Sequence, residues 1–88
     1  MLRTLLLGLF LAPAITLAAP TAQENYQTHC LACHGENRMG AMAPALLPES
    51  LARLKKAEAM EVIAQGRVAT QMPGYAGTLS AEEIKQLA

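Results

Sequence analysis

The run Cys30-Leu31-Ala32-Cys33-His34 holds the residues most able to do chemistry. Two thiols three residues apart lie on one helical turn, and an imidazole follows directly. Each thiol can add to a vinyl group of haem as a thioether, and His34 is then held beside the iron as an axial ligand. In an exported chain this spacing signals covalent c-type haem attachment. Three other readings compete. A redox dithiol wants a βαβ context, and the pattern here has none. A zinc site needs four ligands, and the one extra candidate, His29, adjoins Cys30. A structural disulfide has no use for His34.

Iron held by His34 needs a sixth ligand or leaves an open position. Met39, Met42, Met60 and Met72 follow in the sequence. A chain covers at most about 3.3–3.6 Å per residue, so Met39 and Met42 reach the other face only if fully extended. Met60 sits inside an expected helix, where methionine usually fills core space. Met72 sits in an irregular loop beyond that helix, with Pro73 behind it to stiffen the backbone. Met72 is the expected distal ligand, with Met60 or an open site as the remaining choices. Thioether sulfur favours ferrous iron and raises the potential. With both axial positions filled, the chemistry left is outer-sphere electron transfer.

Neighbouring residues could tune the site. A ligating imidazole usually donates its other N–H to a carbonyl. The loop around Pro44 could supply one, although Pro44 reads equally well as a turn residue. Arg38 could pair with a haem propionate or remain a solvated loop cation. His29 reads as a polar neighbour rather than a ligand. Arg53, Lys55 and Lys56 with Glu58 and Glu61 read as a solvated helix face.

The elements that must position these residues read as helices throughout. Thr21-Ala22-Gln23-Glu24 has the capping-box pattern, opening a helix with Ala22, Tyr26 and Cys30 on one face and an end near Gly35. Residues 36 to 48 read as a loop. A helical stretch follows in one or two pieces, the first marked by Leu51 and Leu54, the second by Ala59, Val62 and Ile63, with Gly66 as its stop. Residues 67 to 79 lack a clean period. Ser80-Ala81-Glu82-Glu83 is a second capping box, opening a helix with Ile84 and Leu87 on one side. No strand alternation is present, so the fold class is all-α. The last helix is still running at Ala88, which suggests a fragment of a longer protein.

Length and composition fit a small haem domain. Eighty-eight residues allow one domain at most. Hydrophobic residues make up 52%, but the first 18 residues hold a large share of them, and alanine dominates the rest. With one Phe, two Tyr and no Trp, the core is thin, and domains of this size usually need a metal, a staple or a cofactor. Seven Lys+Arg balance seven Asp+Glu, which argues against a nucleic-acid surface. Arg3, the apolar run from Leu5 onward and the small residues Ala18 and Ala19 have the layout of a secretory signal peptide. Pro20 places the cut after Ala18. The apolar run, with Pro13 inside it, falls short of the roughly 20 residues of a spanning helix, so no permanent membrane span is expected. The division is thus a signal peptide over 1–18 and a domain over 19–88, in the periplasm.

The run from Tyr26 to Gly35, then Gly40, Ala43-Pro44-Ala45-Leu46, Gln71-Met72-Pro73-Gly74 and Leu79 to Ile84, resembles the class I cytochrome c family. The resemblance implies a class I cytochrome c fold wrapped around one haem c. It makes Cys30 and Cys33 the attachment points, His34 the proximal ligand and Met72 the distal one. Relative to that family the C-terminal helix is cut short. More narrowly, Pro44 to Leu54 and Gly66 to Pro73 resemble the N-terminal cytochrome domain of dihydro-haem d1 dehydrogenases, relatives of cytochrome cd1 nitrite reductase. That likeness implies an oxidoreductase parent with haem d1 in a further domain, and electrons passing through this domain to an outside redox partner. It also implies that Tyr75 could contact the second cofactor; otherwise Tyr75 packs on the haem. The domain itself is expected to be an electron carrier. A small free carrier, and a sensor or peroxidase-like haem module with an open distal site, are the alternatives.

Overall fold

The computed structural model describes residues 18–88. The expected signal peptide lies almost wholly outside the described residues. Four α-helices are present in that range: α1 (Ala22–Asn25), α2 (Leu31–His34), α3 (Lys56–Gln65) and α4 (Ala81–Leu87). No strand occurs among the described residues, in keeping with the all-α expectation.

Both capping boxes form. Glu24 N–H donates to Thr21 Oγ1 at 3.2 Å while Thr21 N–H donates to Glu24 Oε1 at 3.0 Å. Glu83 N–H donates to Ser80 Oγ at 3.1 Å, and Ser80 N–H to Glu83 Oε1 at 2.9 Å. Each box satisfies donors that a helix start otherwise leaves open.

The first helical stretch runs to Gly35 as expected, but it is not uniform. Between α1 and α2, residues Tyr26–Cys30 form a π-helical turn, in which Leu31 N–H donates to Tyr26 O. This i→i+5 turn is wider than an α-turn, yet Ala22, Tyr26 and Cys30 are all partly covered while Gln23, Glu24, Gln27 and Thr28 are exposed, in keeping with their expected common face. The buried residue is Asn25, 4% exposed. Its Nδ2 donates to Glu83 Oε2 at 2.9 Å, which fastens α1 to α4.

The expected helix at Leu51 and Leu54 does not form. Residues 48 to 53 are turns, with Ser50 and Leu51 N–H both donating to Leu47 O and Leu54 N–H to Leu51 O. Pro48 has no N–H to donate, and these scattered bonds never link into a continuous i→i+4 ladder. The second piece, α3, forms and stops at Gly66, whose N–H donates to Val62 O.

The core is small. Leu79 and Ile84 are the buried apolar residues among those described, at 6% and 5% exposure. Ile84 sits on α4, which packs on both α1 and α3. Leu46, Leu51, Leu54, Val62 and Ile63 are only partly covered by protein.

Candidate haem site

Cys30 closes the π-turn, and Cys33 and His34 lie on α2. Both cysteines are free thiols; Cys30 is half-buried and Cys33 exposed. Burial, and then the neighbouring Cys33, push the Cys30 thiol above its ordinary pKa. A smaller share of Cys30 is thiolate at neutral pH than for an ordinary cysteine.

The loop after α2 folds back onto the motif. Gly40 N–H donates to His34 O at 2.7 Å and Ala43 N–H to Cys33 O at 2.8 Å. Further along, Leu46 N–H donates to Arg38 O at 2.9 Å. These bonds bring the Pro44 carbonyl within 2.8 Å of His34 Nδ1. A carbonyl oxygen can only accept, so Nδ1 carries the proton and Nε2 keeps its lone pair. Of the two readings of Pro44, the carbonyl reading is the one the geometry takes. Arg38 is exposed, and the ordered part it plays is through its backbone.

Glycine makes the fold-back possible. Gly35 ends α2 at φ 84° and ψ 164°, a region essentially confined to glycine. A Cβ there would meet Gly40 O at 2.5 Å. Tyr26 braces the same corner, its hydroxyl donating to Gly35 O at 2.6 Å.

Met72 sits half-buried in the loop after α3, and both its backbone polar groups are engaged. Its N–H donates to Thr70 Oγ1 at 3.2 Å, and its carbonyl accepts from Arg67 N–H at 3.3 Å. The Thr70 hydroxyl in turn donates to Arg67 O at 2.8 Å. Gly66 leaves α3 at φ 76° and ψ −172° and packs directly on this segment; a Cβ would meet Met72 O at 2.6 Å. The chain then runs back along α3, with Tyr75 N–H donating to Ile63 O and Ala76 N–H to Ala64 O.

The other methionines are placed differently. Met39 and Met42 are 65% and 80% exposed. Met60 lines the groove between α3 and α4 together with Ala57, Ala64 and Ile84.

Tyr75 joins the two halves of the site. Its hydroxyl donates to His29 O at 3.0 Å, and its ring lies 5.4 Å from the His29 ring, tilted by 60°. Burial raises the Tyr75 phenol above its ordinary pKa, so it stays a donor at neutral pH. Sequence reasoning gave neither this bond nor the Thr70 closure. Both depend on which loop lies beside which turn, and residue type alone does not say so.

The donor set fits a covalent haem. It offers two thiols on one turn, an imidazole with Nε2 free to ligate, and a thioether on a separate loop. Leu46, Leu51, Leu54, Val62 and Ile63 are apolar residues that the protein leaves partly uncovered, as a domain completed by an apolar cofactor would. Among the described residues, no group of three or more His, Cys, Asp or Glu gathers as a site for a bare metal ion.

Comparison with known proteins agrees with this fit. The family described as cytochrome C oxidase, cbb3-type, subunit III matches residues 17–88. Dihydro-heme d1 dehydrogenase of Pseudomonas aeruginosa is 52% identical over 75 residues, covering 85% of this chain and 15% of that protein. Cytochrome c55X of Stutzerimonas stutzeri is 33% identical over 90 residues, covering 94% of this chain and 80% of that protein. Among solved structures, dihydro-heme d1 dehydrogenase NirN in complex with DHE superposes with a TM-score of 0.73 at 53% identity, over 75% of this chain and 14% of that one. The c-type cytochrome NirC does so with a TM-score of 0.70 at 33% identity, over 75% of this chain and 78% of that one. The chain thus spans only a small part of the dehydrogenase but most of the small cytochromes. Its helical fold is that of class I c-type cytochromes. On the family match and the cytochrome c55X match together, the chain belongs to the cbb3-type subunit III family and is a cytochrome c domain, a class that implies covalent haem c.

Proposed function

We propose that this chain is a single-haem electron-transfer domain working in the periplasm, with Cys30 and Cys33 as the thioether attachment points and His34 and Met72 as the axial ligands. The observation that carries the reading is the 2.8 Å contact between His34 Nδ1 and the Pro44 carbonyl. It fixes the tautomer and the ring orientation that an iron ligand needs. Haem c, when bound, supplies a one-electron Fe(III)/Fe(II) couple. The protein's part is to hold both ligands still, so that little rearranges when the charge changes. Thr70 and Arg67 hold the Met72 backbone at both its polar groups, while Met60 lies within α3 and lines the α3–α4 groove. That contrast favours Met72 over Met60.

Residues 1–18 act as a cleaved signal peptide in this reading, with the domain running over 19–88. The domain passes electrons between a haem d1 site, in a partner or an adjoining domain, and an outside acceptor. The 52% identity to dihydro-heme d1 dehydrogenase supports such a parent. The 80% coverage of cytochrome c55X supports a second reading, a small free carrier. On either reading the redox partner is a protein.

Expression with a c-type maturation system tests the core of the proposal. The protein should carry one haem that survives acidified organic extraction, and the Cys30→Ser/Cys33→Ser double variant should lose it entirely. Met72→Ala should keep the haem but lower the potential by a sizeable fraction of the roughly 0.8 V that axial ligation spans. It should also abolish the sulfur–ferric-iron charge-transfer band. A colourless product, or a Met72→Ala spectrum identical to wild type, would overturn the assignment.

A further inference from the structure

We infer that Tyr75 is a positioning residue that keeps the methionine loop closed against the attachment turn. This inference rests on Met72 being the distal ligand. Tyr75 stands three residues beyond Met72, and each of its polar groups is spoken for. Its N–H donates to Ile63 O, and its carbonyl accepts from Thr78 and Leu79 N–H. Its hydroxyl crosses to the other half of the site and donates to His29 O. The acceptor belongs to the residue just before Cys30, within the π-turn.

The three backbone bonds tie Tyr75 to α3 and to its own turn. They do not stop the Met72 segment and the attachment turn from moving apart. Of the bonds described from the 67–75 segment, the hydroxyl bond alone reaches the attachment turn, joining residues 46 apart in sequence. The Thr70 bonds are short-range and exposed, so water competes for them. The Tyr75 bond is partly buried, where competition is weaker.

The consequence falls on opening of the iron–sulfur bond rather than on overall folding. An external ligand binds only the open fraction, so its apparent affinity rises in proportion to that fraction. Loss of one hydrogen bond of this kind should raise the open fraction about five- to tenfold.

The test uses ferric holo-protein and imidazole as the probe ligand. Tyr75→Phe keeps the ring and removes the donor. It should retain its haem, bind imidazole about five- to tenfold more tightly than wild type and show a lower reduction potential. Thr28→Val removes another hydroxyl bond, from Thr28 to Glu24 O on the same helical stretch, and should leave imidazole affinity unchanged. Replacing Tyr75 with 4-aminophenylalanine restores a donor and should restore the wild-type affinity. If Tyr75→Phe yields no holo-protein, rescue of accumulation by 4-aminophenylalanine supports the donor role and absence of rescue overturns it. Wild-type affinity and potential in Tyr75→Phe overturn the tether while Met72 ligation stands. A wild-type protein with no sulfur–iron band overturns Met72 ligation, and the tether falls with it.

Discussion

Gly35 and Gly66 end their helices in the same way, yet the regions they serve are held very differently. Both take a positive φ with an extended ψ, and both let a loop backbone press where a Cβ would stand. At Gly35 the returning loop is bonded back at Cys33, His34 and Arg38, and its Pro44 carbonyl reaches the imidazole. At Gly66 the loop closes mainly on itself, through Arg67, Thr70 and Met72. Its tip carries Val68, 97% exposed, and Ala69 at φ 64°. The histidine side is built into a helix and the methionine side is suspended from one. If Met72 is the distal ligand, as proposed, the suspended side is where ligation should open first.

Paired glycine substitutions give the largest effects and test the contrast directly. Gly35→Ala and Gly66→Ala should each destabilise the holo-protein by about 1–3 kcal/mol from backbone strain alone, read from denaturant midpoints. They should part company in spectroscopy. Gly66→Ala should weaken the sulfur–iron band and lower the potential, because Met72 O is the atom displaced. Gly35→Ala should instead reduce the yield of attached haem. Equal spectra in the two variants would break the distinction.

A smaller effect is expected at the α1–α4 junction, which serves neither ligand. Asn25→Ala should cost about 1–2 kcal/mol with the potential unchanged. Glu83 adds a pH dependence there. Its carboxyl is held below the ordinary 4.5, first by the Ser80 backbone N–H and then by the side chains of Asn25 and Ser80. A depressed folded-state pKa stabilises above the unfolded value and loses that contribution as pH falls through the folded one. Wild type should thus lose stability below about pH 4.5 more steeply than Glu83→Gln, as acid titration followed by circular dichroism would show. Smallest is Ser80→Ala, worth about 1 kcal/mol as a lost helix cap, with no change at the haem.

What the sequence made legible was local. The capping boxes at Thr21 and Ser80 and the stop at Gly66 need only residue type and spacing, and the Cys-x-x-Cys-His run is equally short-range. The part played by Pro44 is not legible from residue type, because a carbonyl's direction depends on the whole fold-back from Gly35. The π-turn was invisible, since Tyr26 to Cys30 suits an α-helix equally well. Asn25 was missed as a buried residue because burial of an amide makes sense only once Glu83 arrives from the far end of the chain. Leu51 and Leu54 misled for the opposite reason: their spacing suits a helix, but the chain around Pro48 never builds the ladder.

The bond between Asn25 and Glu83 joins residues 58 apart. Bringing such distant points together costs loop entropy that only later contacts repay. The clasp is therefore expected to form late in assembly, and Asn25→Ala should then speed unfolding more than it slows folding. An interaction absent from the rate-limiting barrier acts on the escape rate rather than on the speed of folding. On that expectation, this amide and carboxylate bear on how long the domain survives between unfolding events more than on how quickly it first forms.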